Sequence, residues 1–286
     1  MRDLIDAITD CGATPEPIRI TDIGAMSLGE EECWDRLVER GMATLLGFEP
    51  QAEECKRCNA QSGEGYQYLQ EAVGDGEVWP FHQCRFAATS SIFEPDLAFV
   101  SQFHGLREFM EIVETSSIQT RRLDDVEAAR QTDFLKLDVQ GAELVVLENA
   151  METLKHISIV QAEVSFVPLY KNQPLFADID RFLREQGFML HTFLGFGRRM
   201  IQPLMLDNNP NAGLRQMLWS DVVYVRPFEP ALQGPRPAAL LKRAILFHEL
   251  YQSYDFAARA LRDYDQLTGQ HLTEVYLEVL DSRKAA

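Results

Sequence analysis

Short apolar runs alternate with amphipathic stretches along most of the chain, and the two periods separate the elements. IRITDIGA (Ile18 to Ala25), behind Pro15 and Pro17, predicts a first strand. EEECWDRLVERG predicts a helix closed by Gly41, and ATLLGFEP predicts a second strand ended by Pro50. GYQYLQEAVGDGE alternates like a third strand and ends in a Gly74-Asp75-Gly76 turn. From Trp79 to Ile118 the pattern is irregular, with one short helix expected around HGLREFMEIV. A fourth strand, DFLKLDVQ, then turns at Gly141 into a helix through Leu144, Val145 and Leu147. HISIVQAEVSF, FMLHTFLGFG and SDVVYVRP supply the remaining strands, with PLFADIDRFLREQG as a helix between the first two. The Asn- and Pro-bearing residues 198–219 interrupt the order before the last strand.

Strands alternating with helices predict an α/β fold with a mostly parallel sheet. The sheet belongs to residues 18–230. Residues 1–17 precede it as a short amphipathic helix (Leu4, Ile5, Ile8) and lead-in. FEPALQGPRP reads as a linker, and residues 236–286 as a helical extension with apolar stripes in LLKRAILFHELY, FAARALRDYDQL and LTEVYLEVL. Some 50 residues make a marginal core alone, so these stripes must pack on the sheet, a second subunit or a partner. The prolines favour reaching away from the sheet, which predicts a homodimer or a partner complex.

Composition narrows the function. With 46% apolar residues the chain has enough to build a sizeable core. A formal charge of −17 opposes a nucleic-acid partner, since phosphate binding needs a basic surface. No window has the apolar length of a membrane span, and the first residues lack a signal-peptide core. Five cysteines without a disulfide-like framework predict a reducing, cytoplasmic setting. Cys55 and Cys58 stand alone as a C-x-x-C, which reads better as one side of a helix than as a zinc or redox site.

The strand ends carry the chemistry. Carboxylates are poor strand residues, yet the first strand ends in Asp22-Ile23-Gly24-Ala25, the second in Glu49 and the fourth in Asp138. In open α/β sheets ligands bind at those ends. Glu49 lies 25 residues beyond Gly24 (49 − 24), against roughly 20 in dinucleotide folds, and can accept both hydroxyls of a ribose. TDIGAMSLGE lacks the full G-x-G-x-x-G that a pyrophosphate needs, which disfavours an NAD oxidoreductase. An adenosine ligand without phosphates fits, and S-adenosylmethionine is one. A strand that merely ends in a turn with a solvated acid is the plain alternative.

The succession TDIGA, GFEPQ, EAVGD, TSSIF, RRLDDV, DFLKLDVQGAELVVLENA and AEVSFVPLYKNQPLFADIDRFLREQGF resembles the FkbM family of methyltransferases over about residues 18 to 226. The resemblance implies a class I methyltransferase (Rossmann-like) fold and S-adenosylmethionine as donor. It also implies O-methylation of a sugar, glycan or hydroxylated natural product. It places Asp22, Gly24 and Ala25 at the methionine end of the cofactor, Glu49 at the ribose and Asp75 near the adenine. The family usually continues its first motif with Asn and Gly, where Met26 and Ser27 stand here.

Asp138 is the first catalytic candidate, because methyl transfer to a hydroxyl requires alignment and removal of one proton. Glu163 also ends an apolar strand. His191 reads either as a core residue or as a spare base. A divalent metal such as magnesium, held by Asp138, Glu143 and Glu163, is the other device. Glu143 is equally explained as an acid in a first helical turn, and Asp75 as a plain Gly-Asp-Gly turn. Lys136, inside the apolar strand, is expected to pair with an acid or to reach past an edge. Tyr170 is read as a packed aromatic or a sugar-stacking ring. A non-catalytic methyltransferase-like binding or assembly protein is the competing class. Retention of Asp22, Glu49 and Asp138 together argues against it.

Overall fold

The structure is a computed structural model and describes residues 4–26, 29, 31–228 and 236–284. Ser27 and the linker residues 229–235 lie outside the described residues. The chain starts with α1 (Leu4–Asp10), then β1 (Ile18–Ile23), α2 (Asp35–Glu39), β2 (Ala43–Phe48), α3 (Ala52–Gln61) and β3 (Tyr66–Leu69). A small second sheet follows, built from β4 (Ala72–Val73), β5 (Val78–Cys84) and β6 (Ile112–Arg121), with the short helices α4 (Leu97–Val100) and α5 (Leu106–Phe109) between its last two strands. The main sheet resumes with β7 (Phe134–Leu137), α6 (Glu143–Glu148), α7 (Met151–Leu154), β8 (Ile159–Ser165), α8 (Phe176–Glu185), β9 (Met189–Arg198) and β10 (Met217–Val225). The last helices are α9 (Pro237–Glu249), α10 (Tyr254–Thr268) and α11 (Leu272–Lys284).

The main sheet has the order β3-β2-β1-β7-β8-β10-β9. Every pairing is parallel except those of β10, which runs against both β8 and β9. This is the class I methyltransferase arrangement. From β1 the chain first winds outward to β3, then returns to β7 and winds the other way. The switch point lies between β1 and β7, where the fold opens a crevice at the carboxyl ends of the strands.

The third strand departs from expectation. Only Tyr66–Leu69 pairs with β2, and Ala72–Val73 leaves to pair with Thr120–Arg121 of β6. Both pieces alternate with the same period, so the break is invisible in the pattern. The irregular stretch from Trp79 to Ile118 turns out to carry β5 and most of β6, antiparallel to each other. Cys55 and Cys58 are buried on α3 as two positions on one helix, and neither forms a disulfide.

Helices cover both faces of the sheet. One face packs Ile23, Leu135, Val160, Ala162 and Val222 against Val146, Leu147, Ile179 and Leu183 of α6 and α8. The other packs Ile18, Ile20, Phe134, Ile159 and Val223 against Leu240, Ile245, Phe247, Leu261 and Tyr276 of α9–α11. The terminal helices therefore do not reach away from the sheet as the prolines predict. Their stripes are spent on it, which removes the basis for the expected dimer, although Leu267 and Leu277 remain exposed. Leu240, Leu241, Ile245, Leu246 and Phe247 are at most 3% exposed. At ~1.5–3 kcal/mol per buried side chain, α9 alone contributes about 8–15 kcal/mol of gross burial, as much as the net stability of a domain. No helix among the described residues is long and apolar enough to cross a membrane.

Candidate active site

At the switch point the ends of β1 and β7 nearly touch. Gly24 has φ +85°, and a Cβ there would stand 1.8 Å from the Asp138 carbonyl oxygen. Glycine is required by the protein's own backbone, before any ligand is considered. The N–H groups of Gly24 and Ala25 donate to the Phe48 carbonyl at 3.1 and 3.0 Å, which brings the end of β2 alongside. A cleft of about 820 Å³, open solvent included, lies over these ends and is lined by Gly24, Met26, Phe48, Glu49, Asp138 and Gln140. Phe81, Ile92 and Ile118 form its opposite wall, so the small sheet that the pattern left unassigned closes the site.

Glu49 is 2% exposed, and its carboxylate accepts the Gln51 N–H at 2.7 Å. Among the described residues that is its one protein hydrogen-bond partner. Burial pushes Glu49 up to about 7, against the opposing Gln51 N–H and reinforced by Glu54 and Asp22. A buried acid that keeps acceptor capacity in a cleft suits a ligand with hydroxyls.

Asp138 follows the last residue of β7, and its side chain is 35% exposed. Its Oδ1 accepts Gln140 Nε2 at 2.7 Å, and the same amide reaches Glu163 Oε2 at 3.3 Å. Gln140 adopts a left-handed φ of 54°, uncommon for a residue with a side chain. Ser91 holds its carbonyl at 2.7 Å, and the Tyr170 hydroxyl lies 2.9 Å from its Oε1. Burial, with Asp138, Glu143 and Asp221 adding to it, pushes Glu163 well above the usual carboxylate range.

Asp22 is 4% exposed and pairs with Lys136, Nζ to Oδ1 3.4 Å. Burial raises its pKa, Lys136 opposes that, and Asp138 adds to it. With Ala25, Glu32 and Tyr68 it lines an acidic hollow next to the cleft, and Met26 borders both.

At four residues the structure favours the plainer of the two readings. Asp75 does not line the cleft. Its Oδ1 accepts the Glu77 N–H, Trp79 Nε1 and Thr120 Oγ1 within 3.2 Å, closing the turn at β4. His191 lies away from the cleft, bonded to Ser253 at 2.7 Å and packed on Phe256 with ring centres 4.4 Å apart. Burial lowers its pKa against the pull of Asp255, as for a core imidazole beneath α10. Glu143 turns inward and accepts the N–H groups of Val139 at 2.9 Å and Gly141 at 3.2 Å. Burial pushes it up to about 7, partly offset by these and its own N–H. Because Glu143 is used by the turn, the Asp138, Glu143 and Glu163 set does not assemble as ligands, and no such metal group occurs among the described residues. Tyr170 is 2% exposed and packed, so it offers no face for stacking.

The sequence reading missed Gln140, Glu32 and Asp221. Asp221 stands opposite Glu163 in the antiparallel register of β8 and β10. Its only signal is a polar residue within SDVVYV, which means nothing until the register is known.

Comparison with known proteins identifies the family. Residues 10–190 match a family described as Methyltransferase FkbM domain. The 2-O-methyltransferase NoeI of Sinorhizobium fredii is 31% identical over 181 residues, which span 58% of this chain and 71% of that one. Solved structures offer distant likenesses. Magnesium protoporphyrin IX methyltransferase of Synechocystis PCC 6803, with bound S-adenosylmethionine, matches with TM-score 0.39 and 10% identity over 78% of this chain and 76% of that one. A putative S-adenosylmethionine-dependent methyltransferase from Listeria monocytogenes matches with TM-score 0.41 and 9% identity over 79% of this chain and all of the other, 100%.

Proposed function

The chain belongs to the FkbM methyltransferases and is an S-adenosylmethionine-dependent enzyme; from that premise we propose that it methylates a hydroxyl of a sugar, glycan or other hydroxylated natural product, with Asp138 as the general base. The carrying observation is a third-exposed carboxylate at the end of β7, in the same cleft as the buried Glu49. The relative whose name specifies 2-O-methylation supports oxygen as the atom methylated.

Bound S-adenosylmethionine supplies an electrophilic methyl group on a sulfonium centre. The residues present fit it. Glu49 is placed to accept the ribose hydroxyls with the carboxylate capacity that Gln51 leaves free. Asp22 and Glu32 make the adjoining hollow acidic, which suits the positive charges of the methionine end. Gly24 and Ala25 keep the strand ends close enough to form the floor.

Asp138 does the proton chemistry. A hydroxyl is a weak nucleophile until its proton has somewhere to go, and a carboxylate within hydrogen-bond reach is sufficient. Gln140 fixes one of its oxygens and Lys136 lies 4.0 Å from the other, so the carboxylate has a defined direction. Phe81, Ile92 and Ile118 line the opposite wall and keep bulk water from the bound acceptor.

The test is transfer of a labelled methyl group from S-adenosylmethionine to a panel of sugars, glycans and hydroxylated small molecules. Asp138→Asn is expected to retain binding of S-adenosylhomocysteine and to lose about a hundredfold or more in turnover, the loss typical of a removed general base. Activity within a factor of two of the wild type would place the base elsewhere. Wild-type activity abolished by chelator and restored by magnesium would make Asp138 a metal ligand instead.

A further inference from the structure

A single buried lysine stands between the two halves of this site. Lys136 is the third residue of β7 and points to the same sheet face as Phe134, but its side chain ends among carboxylates. Its Nζ lies 3.4 Å from Asp22 Oδ1 at the end of β1 and 4.0 Å from Asp138 Oδ2 at the end of β7. The lysine side chain is 13% exposed and that of Asp22 6%, so little solvent screens the contact. Burial by itself would push the ammonium toward its neutral form; Asp22, Asp138, Glu32 and Asp221 outweigh it and hold the charge.

We propose that Lys136 is a positioning residue for methyl transfer: its ammonium ties the cofactor-side acid Asp22 to the base Asp138 and aims that carboxylate. The inference rests on the reading of Asp138 as base. The groups that face Asp138 come from every neighbouring element. They are Asp22 of β1, Glu163 of β8, Glu143 of α6, Asp221 of β10, Glu32 ahead of α2, and Tyr170 through Gln140. All are acids or a phenol, and among the described residues Lys136 alone supplies opposite charge to this set. A purely structural lysine would compensate Asp22 and leave Asp138 indifferent. A positioning lysine acts on Asp138 directly across the 4.0 Å contact.

The experiment follows the Asp138 carboxyl by carbon NMR in protein labelled at aspartate side chains, with S-adenosylhomocysteine bound and the signal assigned by its loss in Asp138→Asn. In Lys136→Met the titration midpoint is expected to rise by about one pH unit or more, since an opposite charge within ~4–6 Å typically moves a carboxylate by 1–3 units. In Asp221→Asn a like charge is lost, and the midpoint is expected to fall. Lys136→Arg should restore the wild-type midpoint to within about half a unit, because the charge is kept. Coincident midpoints in all variants overturn the proposal. If Lys136→Met fails to fold, as judged by loss of its melting transition, Asp221→Asn decides: no downward shift there also overturns it. Failure of the underlying reading looks different, because Asp138→Asn would then still transfer methyl groups.

Discussion

One face of the sheet changes character within two residues. The register row Ile20, Phe134, Ile159 and Val225 runs across four strands and is buried beneath the terminal helices. The next row on the same face is Asp22, Lys136, Gln161 and Val223, and beyond it Glu163 faces Asp221. Side chains two apart on a strand share a face, so apolar floor and charged seam are parts of one surface. Tyr251, between α9 and α10, donates to Gln161 at 3.0 Å and marks the boundary. The floor contributes stability without specificity, since apolar burial has no direction. The seam gives up stability, because each buried charge needs a partner, and its arrangement supplies the chemistry.

The largest expected effect breaks the comparison at the floor. Deleting residues 236–286 uncovers Ile20, Phe134, Ile159 and Val225 together. The truncated chain is expected to lose its cooperative thermal transition and its near-ultraviolet circular dichroism. A truncated chain that still melts cooperatively and binds S-adenosylhomocysteine would show that the helices are an appendage after all.

A smaller effect probes Glu49, a strand-end acid that forms no ion pair among the described residues. Glu49→Ala removes an acceptor worth roughly 1.5–3 kcal/mol to a charged hydrogen bond, so S-adenosylmethionine affinity should fall at least tenfold by calorimetry. Unchanged affinity would move the ribose elsewhere.

The smallest effect sharpens the contrast between stability and function. Burial raises Glu49 from 4.5 to about 7 in the folded protein. Between those values the folded state holds a proton that the unfolded state releases, so stability falls as pH rises through that window. Glu49→Gln removes the charge that burial opposes. Without ligand at pH 8, this variant should melt higher than the wild type by about a few degrees, and near pH 4 the two should converge. A variant that melts no higher at pH 8 would mean that the buried carboxylate costs nothing there.

Much of this was legible in the residues. The apolar runs of β1, β2, β7 and β8 have one period and clear stops, and acids at Asp22, Glu49 and Asp138 break that period where a ligand is expected. The terminal helices were legible as helices, because their stripes repeat locally. Asp75 and Glu143 were legible only as alternatives, since an acid in a turn has the same spacing whether it holds backbone or ligand. His191 misled because an imidazole within a strand carries no mark of its neighbours, which here are Phe256 and Ser253 from a distant helix.

The sequence by itself therefore determined most strands and helices outside residues 79–118, and which strands end in carboxylates, because backbone period and turn chemistry act over a few residues. Tertiary structure alone decided that the chain leaves the main sheet after Leu69, and that α9–α11 fold back over the floor. It also set Lys136 among acids from three other parts of the chain, Asp22, Glu32 and Asp221. Those outcomes depend on strand register and on long-range apolar burial, which bring together residues as far apart as Ile18 and Tyr276 and leave no trace in local spacing.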